Sequence, residues 1–229
     1  MYPPFPQPMR RSGAVAWLRT AVAGRACQWG LCLGLVAPLA ILLVGALAIR
    51  QADGHSLVTD TISDLSAQDS ADPDLMRAGM IGFGLAMVAF GSAVALALPV
   101  TRRAERLALP VFGASVALAG YFRDHSEAAG VGKNREGFLH NTFGNIAIVS
   151  LVVAMFSVYV VSRDQPIWRT TRRISIVALV LVTVSGAVFS LAPVTDRGAI
   201  ELVLACGALC WIFATAWRAL SASRGSPAA

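Results

Sequence analysis

Six long apolar runs, each closed by charged or turn-forming residues, leave this chain few ways to fold. They extend from about Gln28 to Ile49, Leu75 to Val100, Glu105 to Phe122, Gly137 to Val161, Ile174 to Ala192 and Ala199 to Trp217. A bilayer core about 30 Å thick needs roughly 20 apolar residues per helix. Unbroken apolarity at that length marks spanning helices. Only 14% of the 229 residues are charged, against about 25% in soluble domains. The runs consume most of the length, so no sizeable soluble domain fits beside them. The expectation is an all-α integral membrane protein, a six-transmembrane-helix bundle.

Charge placement orients it. The net charge of +6 does not point to nucleic acid, because the basic residues flank apolar runs instead of forming one patch. With the N-terminus inside, the inner segments hold thirteen arginines and two acids, Glu105 and Asp164, while the outer segments hold six basic residues and eleven acids. The positive-inside rule then makes both termini cytoplasmic. Residues 1–27 read as a cytoplasmic N-terminal segment, with Gly13 to Arg25 as a short interfacial helix. Residues 28–217 read as the membrane domain and 218–229 as a cytoplasmic tail. Ala46-Leu47-Ala48 resembles a signal-peptidase site, but the apolar run before it exceeds the usual 7–15 residues, so it reads as a retained span. Eighteen arginines to one lysine, with abundant alanine and glycine, suggest a GC-rich bacterial genome and thus a multi-pass protein of the plasma (inner) membrane.

The breaks carry their own signals. Asp72-Pro73 reads as an N-cap followed by proline at the first helical position. Pro99, Pro166 and Pro193 punctuate helix ends, and Thr195 to Gly198 is turn chemistry. Ala78, Gly82 and Ala86 repeat every four residues, a small-residue face for close helix approach, with Gly113, Gly144 and Ser185-Gly186 offering similar contacts. Cys27, Cys32, Cys206 and Cys210 lie in or beside apolar runs and read as packing residues, not a disulfide framework.

The titratable chemistry gathers at the expected outer face. His55 precedes an acidic segment, and Phe122 to Asn145 holds the other two histidines. Glu136, His140 and Gly144 share one face of the fourth helix, with Asn141 and Asn145 beside them. A polar stripe on a spanning helix faces the bundle interior or a water-filled cavity, since lipid cannot satisfy it. Three readings stand side by side. The stripe is a structural network; or it forms a ligand-binding pocket with Asp64, Arg123, Asp124 and His125; or it is a metal or hydrolytic site. For the last, Glu136, His140 and His125 are the candidate metal ligands, and His140, Asp64 and Ser63, or the nearby Ser66, the candidate catalytic residues. No HExxH, Cys-His or nucleophile-elbow pattern supports it. Arg123, beside Tyr121 and Phe122, also fits an interfacial anchor. The segment around Leu57, Val58, Ile62 and Leu65 mixes apolar and polar residues as a flap over the bundle would.

Four short motifs carry a resemblance: Ile62-Ser63-Asp64-Leu65-Ser66-Ala67 after the first run, Asp74-Leu75-Met76 entering a glycine-rich second helix, Phe122 with Asp124 closing the third, and Gly137 with His140 opening the fourth. Over about residues 28–217 the chain resembles the bacterial multi-spanning family named domain of unknown function 998. It departs from that family's frequent Phe-Pro-x-Asp at Phe122-Arg123-Asp124. The resemblance implies an architecture and no activity.

The expectation is therefore a non-enzymatic membrane protein in contact with membrane lipid. Its outer polar cluster binds a small amphiphile or lipid headgroup, or supports a membrane-protein partner. A metal-dependent or Ser/His hydrolase is the first alternative and a small-molecule transporter the second, the latter weakened by the lack of a charge deep in any run. No cofactor and no nucleic-acid partner are expected.

Overall fold

The computed structural model describes residues 11–67, 70–97, 103–123, 135–164, 168–191 and 194–224. Six helices dominate: α1 (Arg11–Gln51), α2 (Pro73–Ala97), α3 (Arg103–Tyr121), α4 (Arg135–Val161), α5 (Arg169–Leu191) and α6 (Arg197–Arg224). Short 3₁₀ turns occupy Ser63–Ser66, Ser162–Asp164 and Val194–Asp196. Five helices hold stretches long and apolar enough to cross a bilayer: Gly24–Gln51, Pro73–Leu96, Arg135–Val161, Arg169–Leu191 and Arg197–Ala222. The apolar part of α3, Arg106–Tyr121, is shorter. The molecule is a multi-span helical membrane bundle.

The local rules are visible at the helix ends. Asp72 accepts the Leu75 amide at 3.2 Å, ahead of Pro73 at the first turn of α2, which satisfies one otherwise orphaned donor. Gly13 to Arg25 is helical and continues into the first span without a break. With 41 residues, α1 is about 60 Å long at 1.5 Å per residue, twice the hydrocarbon thickness. Pro99, Pro166 and Pro193 lie outside the described residues. Thr195 and Asp196 belong to a 3₁₀ turn that leads directly into α6.

Each helix packs on the next in sequence, and α6 returns to α1, closing a ring. Lipid supplies little hydrophobic drive for such contacts, so close packing and buried polar links must hold the ring. The tightest joint is α2 on α3. A Cβ built on Gly84 would sit 2.5 Å from the Gly113 carbonyl oxygen, and one on Gly113 would sit 2.5 Å from the Val88 amide nitrogen. Only glycine permits this backbone approach. The Ala78-Gly82-Ala86 face is not that joint. It lines an apolar groove against α1, and nothing stands within 4 Å of a Cβ at Gly82. Cys27 and Cys32 pack against the core as expected, whereas Cys206 and Cys210 point outward.

Half of the ring's interior is solid. Leu31, Met87, Phe90, Met155, Val182, Trp211 and Ile212 are almost fully buried there. Trp211 donates its indole N–H to the Ser175 hydroxyl at 2.8 Å, a buried bond that ties α6 to α5. The other half, toward the N-terminus of α4, is hollow.

Candidate functional site

The short α3 creates a problem at its C-terminus. Its last carbonyls have no helical partner, and at the edge of an apolar layer an unpaired carbonyl is costly. Two side chains from neighbouring helices resolve this. Arg77 of α2 donates Nε–H to the Gly120 carbonyl at 3.3 Å and Nη2–H to that of Tyr121 at 3.0 Å, while Nη1 pairs with Asp74 at 2.7 Å. His140 of α4 places Nδ1 at 2.9 Å from the Ala119 oxygen and 3.3 Å from that of Phe122. Both partners are acceptors, so Nδ1 carries the proton, and a neutral ring then holds its lone pair on Nε2. Phe122 stacks on Phe143 with centroids 5.7 Å apart. The corner between α3 and α4 is thus fixed by one arginine, one histidine and a stacked pair of rings.

Beside that corner opens a cavity of about 260 Å³. Its polar lining is Ser63, His140, Asn141, Asn145 and Glu201, and its walls include Phe83, Phe112, Leu151 and Leu209. On α4 the lining runs from His140 to Leu151, a depth of about 16 Å at 1.5 Å per residue. That is close to one leaflet of a bilayer about 30 Å thick. The deep core closes the floor. Gly144 faces this space, and a Cβ there would meet nothing within 4 Å, so it is a cavity wall and not a packing contact.

The segment between α1 and α2 covers the mouth. Leu65 buries itself against α1 and α2 beside Ala48 and Met76, and Ala67 is fully buried. Thr61 and Asp64 bond reciprocally: the Thr61 amide donates to the Asp64 carboxylate at 2.8 Å and the Asp64 amide to the Thr61 hydroxyl at 3.2 Å, a capping box around the 3₁₀ turn. The Ile62 amide donates to the Glu201 carboxylate, and the Ala199 amide to the Val58 carbonyl at 3.1 Å. A methyl at Gly198 would fall on the Asp60 carbonyl oxygen, so glycine lets the segment lie directly on α6. Asp60 accepts the Ser56 amide at 2.8 Å and the Thr59 hydroxyl at 2.9 Å. The Ser56 bond above all holds its carboxyl below the usual range. Partial burial opposes the shift, while Thr59 and His55 add to it. His55 stands 3.9 Å from Asp60. Its Nε2 is buried without a hydrogen-bond partner among the described residues.

The residues singled out by sequence therefore divide. His140, Asn141, Asn145 and Ser63 come together in the cavity lining. Asp64 does not line it, being engaged by Thr61. Glu136 and Arg123 are exposed, and neither lines the cavity. Asp124 and His125 lie outside the described residues. The Ser63 hydroxyl bonds the Thr61 hydroxyl at 2.9 Å and Ser66 donates to the Ser63 carbonyl at 2.7 Å. No three histidine, cysteine or acidic side chains among the described residues converge as a metal site. Glu201 is the lining residue that sequence reasoning passed over. Its signal was a carboxylate two residues inside an apolar run.

A family model described as Protein of unknown function (DUF998) matches residues 35–218. The chain belongs to this family. No curated protein and no solved structure matches it. The matched span of the DUF998 chain contains every residue that lines the cavity, from Ile41 to Leu209. The site is thus part of the DUF998 domain itself and not an appendage to it.

Proposed function

We propose that this DUF998 protein binds a single small amphiphile at the outer leaflet, its head among Ser63, His140, Asn141, Asn145 and Glu201 and its tail against the apolar walls. The reading rests on one observation: a leaflet-deep cavity with its polar residues gathered toward one end. At about 260 Å³ it falls just below the range of roughly 300–1,000 Å³ for ligand pockets, which suits one alkyl chain better than a bulky solute. The arginine-rich inner segments support placing the mouth outward.

The test is photocrosslinking in lipid nanodiscs with an alkyl alcohol that carries a diazirine in its tail. Labelling at Phe83, Phe112 or Leu151, lost in Gly144→Phe, is the expected result. Labelling confined to lipid-facing positions such as Leu43, Val149 and Val177 overturns the reading.

A further inference from the structure

We infer that the ligand's alkyl tail passes between the bilayer and the cavity sideways, through a window in the joint of α1 and α2 whose shutter is Ile41 and Phe83. This inference rests on the amphiphile reading and adds the route of entry. The joint is tight at two levels. Nearer the mouth, a Cβ built on Gly79 would stand 2.6 Å from Val44 Cγ1 and 3.2 Å from Ile41 Cδ1. Nearer the C-terminus of α2, one on Gly30 would stand 2.7 Å from the Ala93 Cβ and 2.9 Å from the Ala89 carbonyl oxygen. Between these levels the helices part. A Cβ at Gly82 meets nothing within 4 Å among the described residues. A groove of about 270 Å³ opens there, lined by Val36, Ala37, Ala40 and Gly82 among others.

Two residues belong to both spaces. Ile41 and Phe83 line the groove and the central cavity alike, so a single layer of side chains divides them. Phe83 stands edge-on to Phe112 with centroids 6.2 Å apart, and Phe112 is itself a cavity wall. Changes of rotamer at Ile41 and Phe83, with no helix displaced, join the two spaces. Leu39 and Leu43 of α1 are exposed, so the groove opens on a surface that lipid chains meet. The mouth is a poorer path for a tail. Its covering segment is bonded to α6 through the Ile62 and Ala199 amides. A tail arriving there through water would forfeit about fourfold in partitioning for each methylene exposed.

The test times the entry of a short-chain diazirine alcohol into the protein in nanodiscs, by irradiating at intervals after mixing. Labelling at lipid-facing Val149 and Val177 marks arrival in the bilayer, and labelling at Leu151 marks arrival in the cavity. Gly82 lies outside the cavity lining, and leucine is a better helix former than glycine. Gly82→Leu is therefore expected to keep the melting temperature and the final extent of Leu151 labelling, while slowing its approach by about tenfold or more. Ala40→Phe narrows the groove from α1 and should do the same, so it decides if Gly82→Leu fails to fold. An unchanged time course in a folded variant overturns the window and leaves the pocket standing. A final extent that falls at an unchanged melting temperature also overturns it, because the groove would then belong to the bound state and not to a passage. Labelling at Leu151 that never appears in the parent protein overturns the pocket and the window together.

Discussion

His140 does two things with one ring. Its Nδ1–H closes the exposed end of α3, and the ring forms part of the cavity lining. The structural and the binding readings of the polar stripe are therefore not rivals at this residue. His140→Ala removes the donor and leaves the Ala119 and Phe122 carbonyls in a buried corner, since His140 is only 5% exposed. Stranding a buried acceptor costs about 1–3 kcal/mol, so unfolding in detergent should shift by that amount. His140→Asn, which keeps a short donor, should recover part of it. Equal stability of the parent and the alanine variant would show that the α3 end finds its partners elsewhere. Asp64 teaches the opposite lesson. A carboxylate beside Ser63 looked like catalytic company, but the spacing Thr61-x-x-Asp64 was a capping box in plain view, and the turn uses it.

At the scale of elements, hydropathy marked all six helices and rightly ranked the third among the shortest. Which faces meet was less legible. Small residues every four positions mark a possible joint, yet α2 has more than one such face, and periodicity does not say which one finds a partner. The ring gives the Gly84 face to α3 and leaves Ala78-Gly82-Ala86 beside a groove. Glu201 was hidden for a related reason: its contact with Ile62 spans 139 positions of sequence, and no local pattern encodes that. Two glycines separate joint from wall. Gly113→Val should destabilise the bundle by about 1–3 kcal/mol, the usual cost of overpacking a close contact. Gly144→Ala should change stability by less than about 1 kcal/mol, the scale of the helix preference for alanine, while narrowing the cavity. Thermal unfolding of both variants in one detergent checks the contrast. Equal losses would mean that Gly144 is packed after all.

For the whole molecule, the ring and the charge asymmetry must agree on one orientation. An even number of antiparallel helices puts the start of α1 and the end of α6 at the same end of the bundle, which is also the end that carries Arg163, Arg169, Arg172 and Arg173 around the start of α5. Moving such charges across a membrane is unfavourable, so this end stays on the side of synthesis. On the proposed reading the mouth, with its covering segment, then faces the outer leaflet. If the bundle were inverted, the same cavity would sample the cytoplasmic leaflet, and its head-group partners would be a different set of lipids. Single cysteines placed in a background lacking the four native ones settle the matter. Val58 is 58% exposed on the covering segment, and Thr170 is exposed at the opposite end. In intact cells a membrane-impermeant maleimide should label Val58→Cys and spare Thr170→Cys until the membrane is opened. The reverse pattern would invert the bundle and move the proposed binding event to the cytoplasmic side, leaving the geometry of the cavity unchanged.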